Sequence, residues 1–396
     1  MSEVNWPPIE TELLEWASDD EARAGASRRQ IRTHTGPYTA AISARIARTR
    51  VFVSQNAAAE IDDATSQLTR FDTSVGHIAA PFASILLRTE SASSSEIENL
   101  TSGAKQIGLA EIGESDSANA KLIVSNVRAM ESALHLSENL SGPAIIDMQR
   151  ELLKDSRPDL TGGWRQQQVW IGGGSIGPHT ARFVPPHHDR IQGDIDDLLE
   201  FIARTDIPVL TQVAIAHAQF ETIHPFADGN GRTGRALVQA MLRAKGVTQN
   251  VTVPVSAGLL TDTAAYIDAL TAYRAGDVEP LILTFAQAAH EAVINGTRLV
   301  NDLTRRKESW DDRLVGLRSH ASARKVAGLA FEQPVLDAEV IQRKLSITPA
   351  SVYSAVDALV ERGILTPKNS NRRNRIWFAP EILDDLDAFA ARAKRV

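Results

Sequence analysis

The chain contains no cysteine. That absence removes disulfides, thiolate metal sites and cysteine nucleophiles together. Aromatic residues are scarce too, at 5% of 396 residues, while alanine is abundant, which favours packed helices over sheets. No uninterrupted apolar run reaches the roughly 18 residues of a membrane span, so no membrane partner is expected. The opening MSEVNWPPIETELLEW is acidic, broken by Pro7 and Pro8, and lacks the apolar core of a leader peptide. A cytoplasmic protein is expected. Basic charge is not in excess: 42 Lys and Arg stand against 49 Asp and Glu, a net charge of −7. The whole molecule is therefore no general nucleic-acid binder, although a local basic patch stays open.

What is present is mostly helical pattern. ANAKLIVSNVRAMESALHL, AIIDMQRELLKD and DIDDLLEFIAR repeat apolar residues at three- and four-residue spacing. Between Thr161 and His188 the chain turns rich in Gly and Pro, with QQVWI as its only strand-like piece. A long surface loop with a short hairpin is predicted there. GGGSIG in this loop fits a G-x-G-x-x-G spacing at Gly172, Gly174 and Gly177, but Pro178 follows where a dinucleotide site needs a helix. His187, His188 and Asp189 look like metal ligands, yet lack a partner at helical spacing, and a solvated or loop-supporting role is preferred. After about Asn301 a charged helical connector leads to LDAEVIQRKL, SITP, ASVYSAVDALVERGIL and NSNRRNRIWFA. Helix, turn, helix and hairpin in that order predict a winged helix-turn-helix, with Thr348 and Pro349 at the second helix's N-cap and first turn.

The chemistry concentrates in TIHPFADGNGRTGRAL, Thr222 to Leu237. An apolar helix leads in and another helix leads out, so the glycines form a turn that delivers the chain to a helix N-terminus. Backbone N–H groups there lack intrahelical partners, and Gly229 and Gly231 let them approach a phosphate closely: an anion nest. Arg232 and Arg235, three apart, share a helix face suited to a polyphosphate. Asp228 can carry the divalent ion of a nucleotide triphosphate, and His224 can take a proton from a hydroxyl. The parts describe nucleotide phosphate transfer to an alcohol.

HPFADGNGRTGR resembles the signature of the Fic family: His-Pro-Phe, any residue, Asp or Glu, Gly-Asn-Gly-Arg, two free positions, Arg. The resemblance extends from about Ser93 to Glu291. It implies a mainly α fold, a Fic-type helical bundle with a small β-hairpin flap, here followed by the winged helix-turn-helix. The expected division is an N-terminal helical region 1–130, a catalytic domain 131–300 and the C-terminal unit 310–396. It further implies transfer of AMP from Mg-ATP to a Ser, Thr or Tyr hydroxyl of a protein, with pyrophosphate released. Position by position, His224 would be the base and Asp228 the Mg2+ ligand. Gly229, Asn230 and Gly231 would hold the α- and β-phosphates. Arg232 and Arg235, with Thr233 and Gly234 between them, would hold the outer phosphates. Gly231 keeps the adenylyl-transfer orientation open where phosphate-transferring relatives carry Lys.

SSSEIENL, Ser93 to Leu100, resembles the family's inhibitory helix, with Ser94, Glu98 and Asn99 filling its pattern. Glu98 would pair with Arg235 and keep ATP in an unproductive pose. Removal of AMP is left open. WRQQQVWIGG resembles the flap that pins the target chain, with Gln168 and Val169 at its edge. Tyr266 falls at a nucleotide-contacting place or in the core, and Ile267 stands where several relatives have a second Tyr. The alternative reading is a DNA-binding regulator acting through Arg372, Arg373 and Arg375 on the wing, with the Fic part sensing nucleotide. Self-modification and a homodimer are left open.

Overall fold

The computed structural model describes residues 6–16, 27–76, 82–174, 176–318, 321–368 and 375–394. The fold is mainly helical, with two small antiparallel sheets. Near the N-terminus β1 (Glu10–Leu14) pairs with β2 (Tyr38–Ile42), Glu10 opposite Ile42, on either side of α1 (Arg28–Thr33). Then come α2 (Gln55–Gly76), α3 (Ala83–Ile97), α4 (Ala104–Glu111), α5 (Ala118–His135) and α6 (Gly142–Leu153). A long loop follows to α7 (Ile191–Ile202), α8 (Val209–Ile223) and α9 (Asn230–Ala244). The body closes with α10 (Val255–Thr261), α11 (Thr263–Arg274) and α12 (Glu279–Arg313).

α8 explains the arrangement. Every residue from Leu210 to Ile223 is buried, which is how a helix apolar on all faces must sit. α7, α9 and α12 pack around it, and its C-terminus delivers His224 to the surface of that core. None of the described helices is long and apolar enough to cross a membrane.

The loop departs from expectation. QQVWI forms no strand; among the described residues of the loop, ladder pairing is limited to a single antiparallel bridge, Ile171 with Phe183. The backbone turns away at once, with Gly172 and Gly173 both at positive φ, and Pro178, Pro185 and Pro186 remove ladder donors. The loop leans instead on β2, where the Ala41 N–H donates to the Val184 carbonyl at 2.9 Å. Pro178 opens a one-turn 3-10 helix, so the Gly172–Gly177 spacing precedes no α-helix.

At the other end the charged connector is the last third of α12, unbroken over 35 residues. Beyond it lie α13 (Ser322–Glu332), β3 (Val335–Asp337), α14 (Ala338–Leu345), α15 (Pro349–Glu361), β4 (Thr366–Pro367), β5 (Ile376–Phe378) and α16 (Pro380–Ala393). The strands form one sheet in the order β3-β5-β4. Thr348 caps α15 by accepting the Ser351 N–H, with Pro349 in the first turn. Of the three wing arginines, Arg372 and Arg373 lie outside the described residues, and Arg375 lies 3.8 Å from Asp357.

One apolar core runs from α2 through α8 and α12 into α13 and α16. Trp310 sits at the join, 1% exposed, its ring centroid 4.7 Å from that of Phe331 and its Nε1 donating to Glu381 at 2.6 Å. Truncating such a residue costs about 3–5 kcal/mol. Trp310→Ala is therefore expected to lower the melting temperature of the whole chain in one cooperative transition. Calorimetry showing a separate melt of the C-terminal part alone would contradict a shared core.

Candidate active site

His224 caps α8 in the left-handed region, φ 50°, an uncommon conformation for a residue with a Cβ. Surrounding contacts hold it there. The Arg165 side chain, almost fully buried, donates through Nε to the His224 carbonyl at 2.9 Å and through Nη2 to the Pro186 carbonyl at 2.6 Å. Arg165 thus ties the base of the loop to the catalytic turn. Burial lowers its pKa to about 10. The Asn230 side chain closes the turn from within: Oδ1 accepts the Phe226 N–H and Nδ2 donates to the Phe226 carbonyl, both at 2.8 Å. That side chain is consumed in shaping the loop, so only the Asn230 backbone N–H is left for a phosphate.

Gly229 takes φ 83° just before α9, where other side chains are strained, and the first turn of α9 opens its N–H groups into the site. A cavity of about 520 Å³ faces them, lined by Glu98, His224, Asp228, Gly229, Gly231 and Arg232 among others. Arg232 is 6% exposed, and its Nε and Nη1 have no hydrogen-bond partner. A guanidinium lining the same cavity as an anion nest suits a phosphate. Asp228 accepts the Gly229 N–H through Oδ1 at 2.6 Å and keeps its side chain 46% exposed.

The His224 imidazole is held neutral. Burial lowers its pKa to about 4, helped by the nearby Arg165 and Arg274 charges, while one-fifth of its side chain stays open to the cavity. A neutral imidazole is what a proton acceptor needs. Behind it Glu221 is pushed up to about 7 by burial, and His217 is driven down to about 3 by the same cause.

Arg235 is 2% exposed, and the Nε and Nη2 edge of its fork is engaged by the α3 terminus. Nε donates to Ser94 Oγ at 2.9 Å, and Nη2 donates to the Ser94 carbonyl at 2.7 Å and to Glu98 Oε1 at 2.9 Å. Burial pushes the Glu98 carboxyl up, but Arg235, with Arg232 and His224, outweighs it and holds the group below its usual range. Asn99 takes φ 62°, the left-handed residue that ends a helix, so Glu98 is presented at the cap. Gly231 makes room: a Cβ there would lie 2.0 Å from Glu98 Oε1.

Three of the residues expected at the nucleotide site do not line this cavity. Thr233 and Gly234 are buried on the face of α9 turned away from the cavity, and a Cβ on Gly234 would meet Glu221 and Phe220 of α8. Helical geometry explains this, since Arg232 and Arg235 share one face and the residues between them point elsewhere. Tyr266 is 4% exposed and bonds His217 Nε2 at 2.8 Å, so it belongs to the core beneath the site. Ile267, by contrast, is exposed. At the loop edge Gln168 bonds Tyr38 and the Pro185 carbonyl, and Val169 is half-buried beside it. His187, His188 and Asp189 do bring their ligand atoms within 4.8 Å of one another, although Asp189 is exposed. Arg165, Ser156 and Arg157 were passed over in the sequence. Only the lone arginine ahead of QQQ hinted at the first.

A helical body with an anion nest, an adjacent neutral histidine and a carboxylate is the arrangement of a phosphate-handling site. Residues 139–242 match the Fic/DOC family model and residues 58–135 the Fic/DOC family N-terminal model, and the two matched stretches lie next to each other, meeting between α5 and α6. It is similar to the protein adenylyltransferase fic-1 of Caenorhabditis elegans, 26% identical over 39% of this chain and 28% of that protein. The protein adenylyltransferase Fic of Nematostella vectensis is likewise 26% identical, over 40% of this chain and 34% of that one. The matches thus span about a third of those relatives' length. In fold the chain is similar to a Fic family protein from Desulfovibrio desulfuricans, with TM-score 0.52 and 21% identity over 83% of this chain and 97% of that one.

The His224 ring is expected to stay neutral from pH 8 down to about pH 5, given its pKa of about 4. Histidine NMR titration checks this; a midpoint near the ordinary value of about 6.5 contradicts the buried environment.

Proposed function

We propose that the chain is a protein adenylyltransferase that moves AMP from Mg-ATP to a Ser, Thr or Tyr hydroxyl of a protein and is held off by Glu98. The observation that carries this reading is the cavity of about 520 Å³ at the first turn of α9, where His224, Asp228, the glycine turn and Arg232 meet. The mechanism follows from the groups around it. The hydroxyl oxygen attacks the α-phosphorus of ATP, a new P–O bond forms, and the bond to the β-phosphate oxygen breaks. Pyrophosphate leaves with that electron pair, and the hydroxyl proton passes to the neutral His224 imidazole. Backbone N–H groups of the first turn of α9 and the Arg232 guanidinium stabilise the charge on the phosphates.

Asp228 suits a magnesium ion that arrives with the nucleotide. It is a hard oxygen donor, half-exposed, with Oδ1 on the Gly229 N–H, and magnesium commonly takes one or two carboxylates plus phosphate oxygens and water. Bound there, the ion would offset the charge of the departing pyrophosphate. The target chain would approach along Gln168 and Val169. The pairing of Glu98 with Arg235 supports the autoinhibited state, because it occupies the guanidinium that a terminal phosphate needs.

His224→Ala should abolish transfer of labelled AMP while leaving ATP affinity nearly intact, since proton acceptor and phosphate nest are separate parts. Undiminished labelling by that variant would sink the assignment. Glu98→Gly should raise labelling by at least about tenfold, which needs only about 1.4 kcal/mol. An unchanged rate would make α3 ordinary structure.

A further inference from the structure

The turn that carries Glu98 has two neighbours, and the nest is only one of them. Across its other side lies α16. Lys394 Nζ is 2.5 Å from Glu96 Oε1, just before the turn. Asp387 Oδ1 accepts the Ala104 N–H at 2.8 Å, just after it, at the start of α4. The two grips bracket residues 97–103. α16 itself is fastened to the catalytic body: Asn295 of α12 donates to the Phe389 carbonyl at 3.2 Å and accepts from Arg392 Nε at 2.6 Å, and Arg306 pairs with Asp385.

The rest of α3 does not need α16. Glu90 accepts the Ser256 N–H and hydroxyl, at 2.8 and 2.6 Å, and Asn126 of α5 donates to the Ser91 carbonyl and Ser95 Oγ. Those bonds end at Ser95. Glu98 is already the cap and Asn99 is left-handed, so the carboxylate's place depends on the turn rather than on the helix. Between the two helices a cavity of about 360 Å³ remains, reached by Ser93, Leu100, Ile107 and Phe389. Around that cavity the turn is gripped at its polar edges, while the apolar side chains of α16 pack into the core beside it. Both grips face solvent, and the Lys394 side chain is 49% exposed, which keeps each of them weak and releasable.

We propose that Asp387 and Lys394 are positioning residues for Glu98: α16 holds the 97–103 turn against α9, and release of the α16 end frees the carboxylate from Arg235. This rests on Glu98 being the lock. It makes the C-terminal unit a control element for the site, because any event that shifts α16 acts on the cap.

The test uses the full chain with labelled ATP, with and without Glu98→Gly. The double variant Asp387→Ala, Lys394→Ala should raise basal transfer roughly three- to tenfold, as two exposed contacts allow. In the Glu98→Gly background it should add nothing. Amide hydrogen exchange at Glu98 to Ala104 should speed up while that of Arg88 to Ser95 is unchanged, and Lys394→Arg should behave as the parent. Equal activation in both backgrounds overturns the proposal, since the residues would then act elsewhere. So does an unchanged rate beside a strongly active Glu98→Gly, which leaves the lock standing without its outer support. If Glu98→Gly is itself no faster than the parent, the lock reading fails, and the positioning role falls with it.

Discussion

The structure depends on one buried positive charge. Arg235 sits within the body at 2% exposure, and a guanidinium there needs acceptors. Ser94 supplies two of them and Glu98 the third. Ser94 binds through both its hydroxyl and its carbonyl, so α3 must approach α9 closely. The run of small residues from Ser91 to Ser95, buried at every described position but Ala92, permits that approach. Glu98 is the exchangeable partner, because its side chain is 42% exposed and ends in the cavity. The other two acceptors stay in place whichever anion takes the third.

The site was more legible in the sequence than the fold around it. A contiguous motif fixes its own geometry: a turn between two helices, glycines where backbone must approach, arginines one helical turn apart. Glu98 and Arg235, 137 positions apart, are joined in the sequence only by the resemblance of the upstream pattern to an inhibitory helix, whose end the structure places at a left-handed Asn99. Position within the motif does not by itself say where a side chain goes. Thr233 and Gly234 lie between the arginines in sequence but behind them in space, and Asn230 spends its side chain on Phe226. Arg165 is invisible in the sequence because its four carbonyl partners come from the loop, the end of α8 and the turn after it.

The fold's non-local parts were the hardest to read. ETELL and YTAAI are short, polar-edged and 24 residues apart, so neither segment alone marks a sheet, yet together they prop the loop through Val184. The strand expected at QQVWI looked better by composition and failed for want of a partner. β-pairing depends on the second strand, whereas helix periodicity is written within one segment. The same difference explains why α16 drew no notice. Its amphipathic pattern says that one face is buried, and nothing in it says against what.

In the proposed function, Gly231 ties inhibition to catalysis. The space a Cβ would fill holds the Glu98 carboxylate, only 2.0 Å from the position that Cβ would take. In the proposed reaction a nucleotide phosphate comes to the same first turn of α9. Carboxylate and phosphate then compete for one volume and one guanidinium, so occupancy by Glu98 subtracts directly from productive binding. Competition of this kind needs little energy: moving a two-state balance from even to ten to one takes about 1.4 kcal/mol. A partly exposed ion pair on a buried arginine lies in that range. The lock can therefore be set by a few weak contacts at the end of α3, and it can be undone by losing as few.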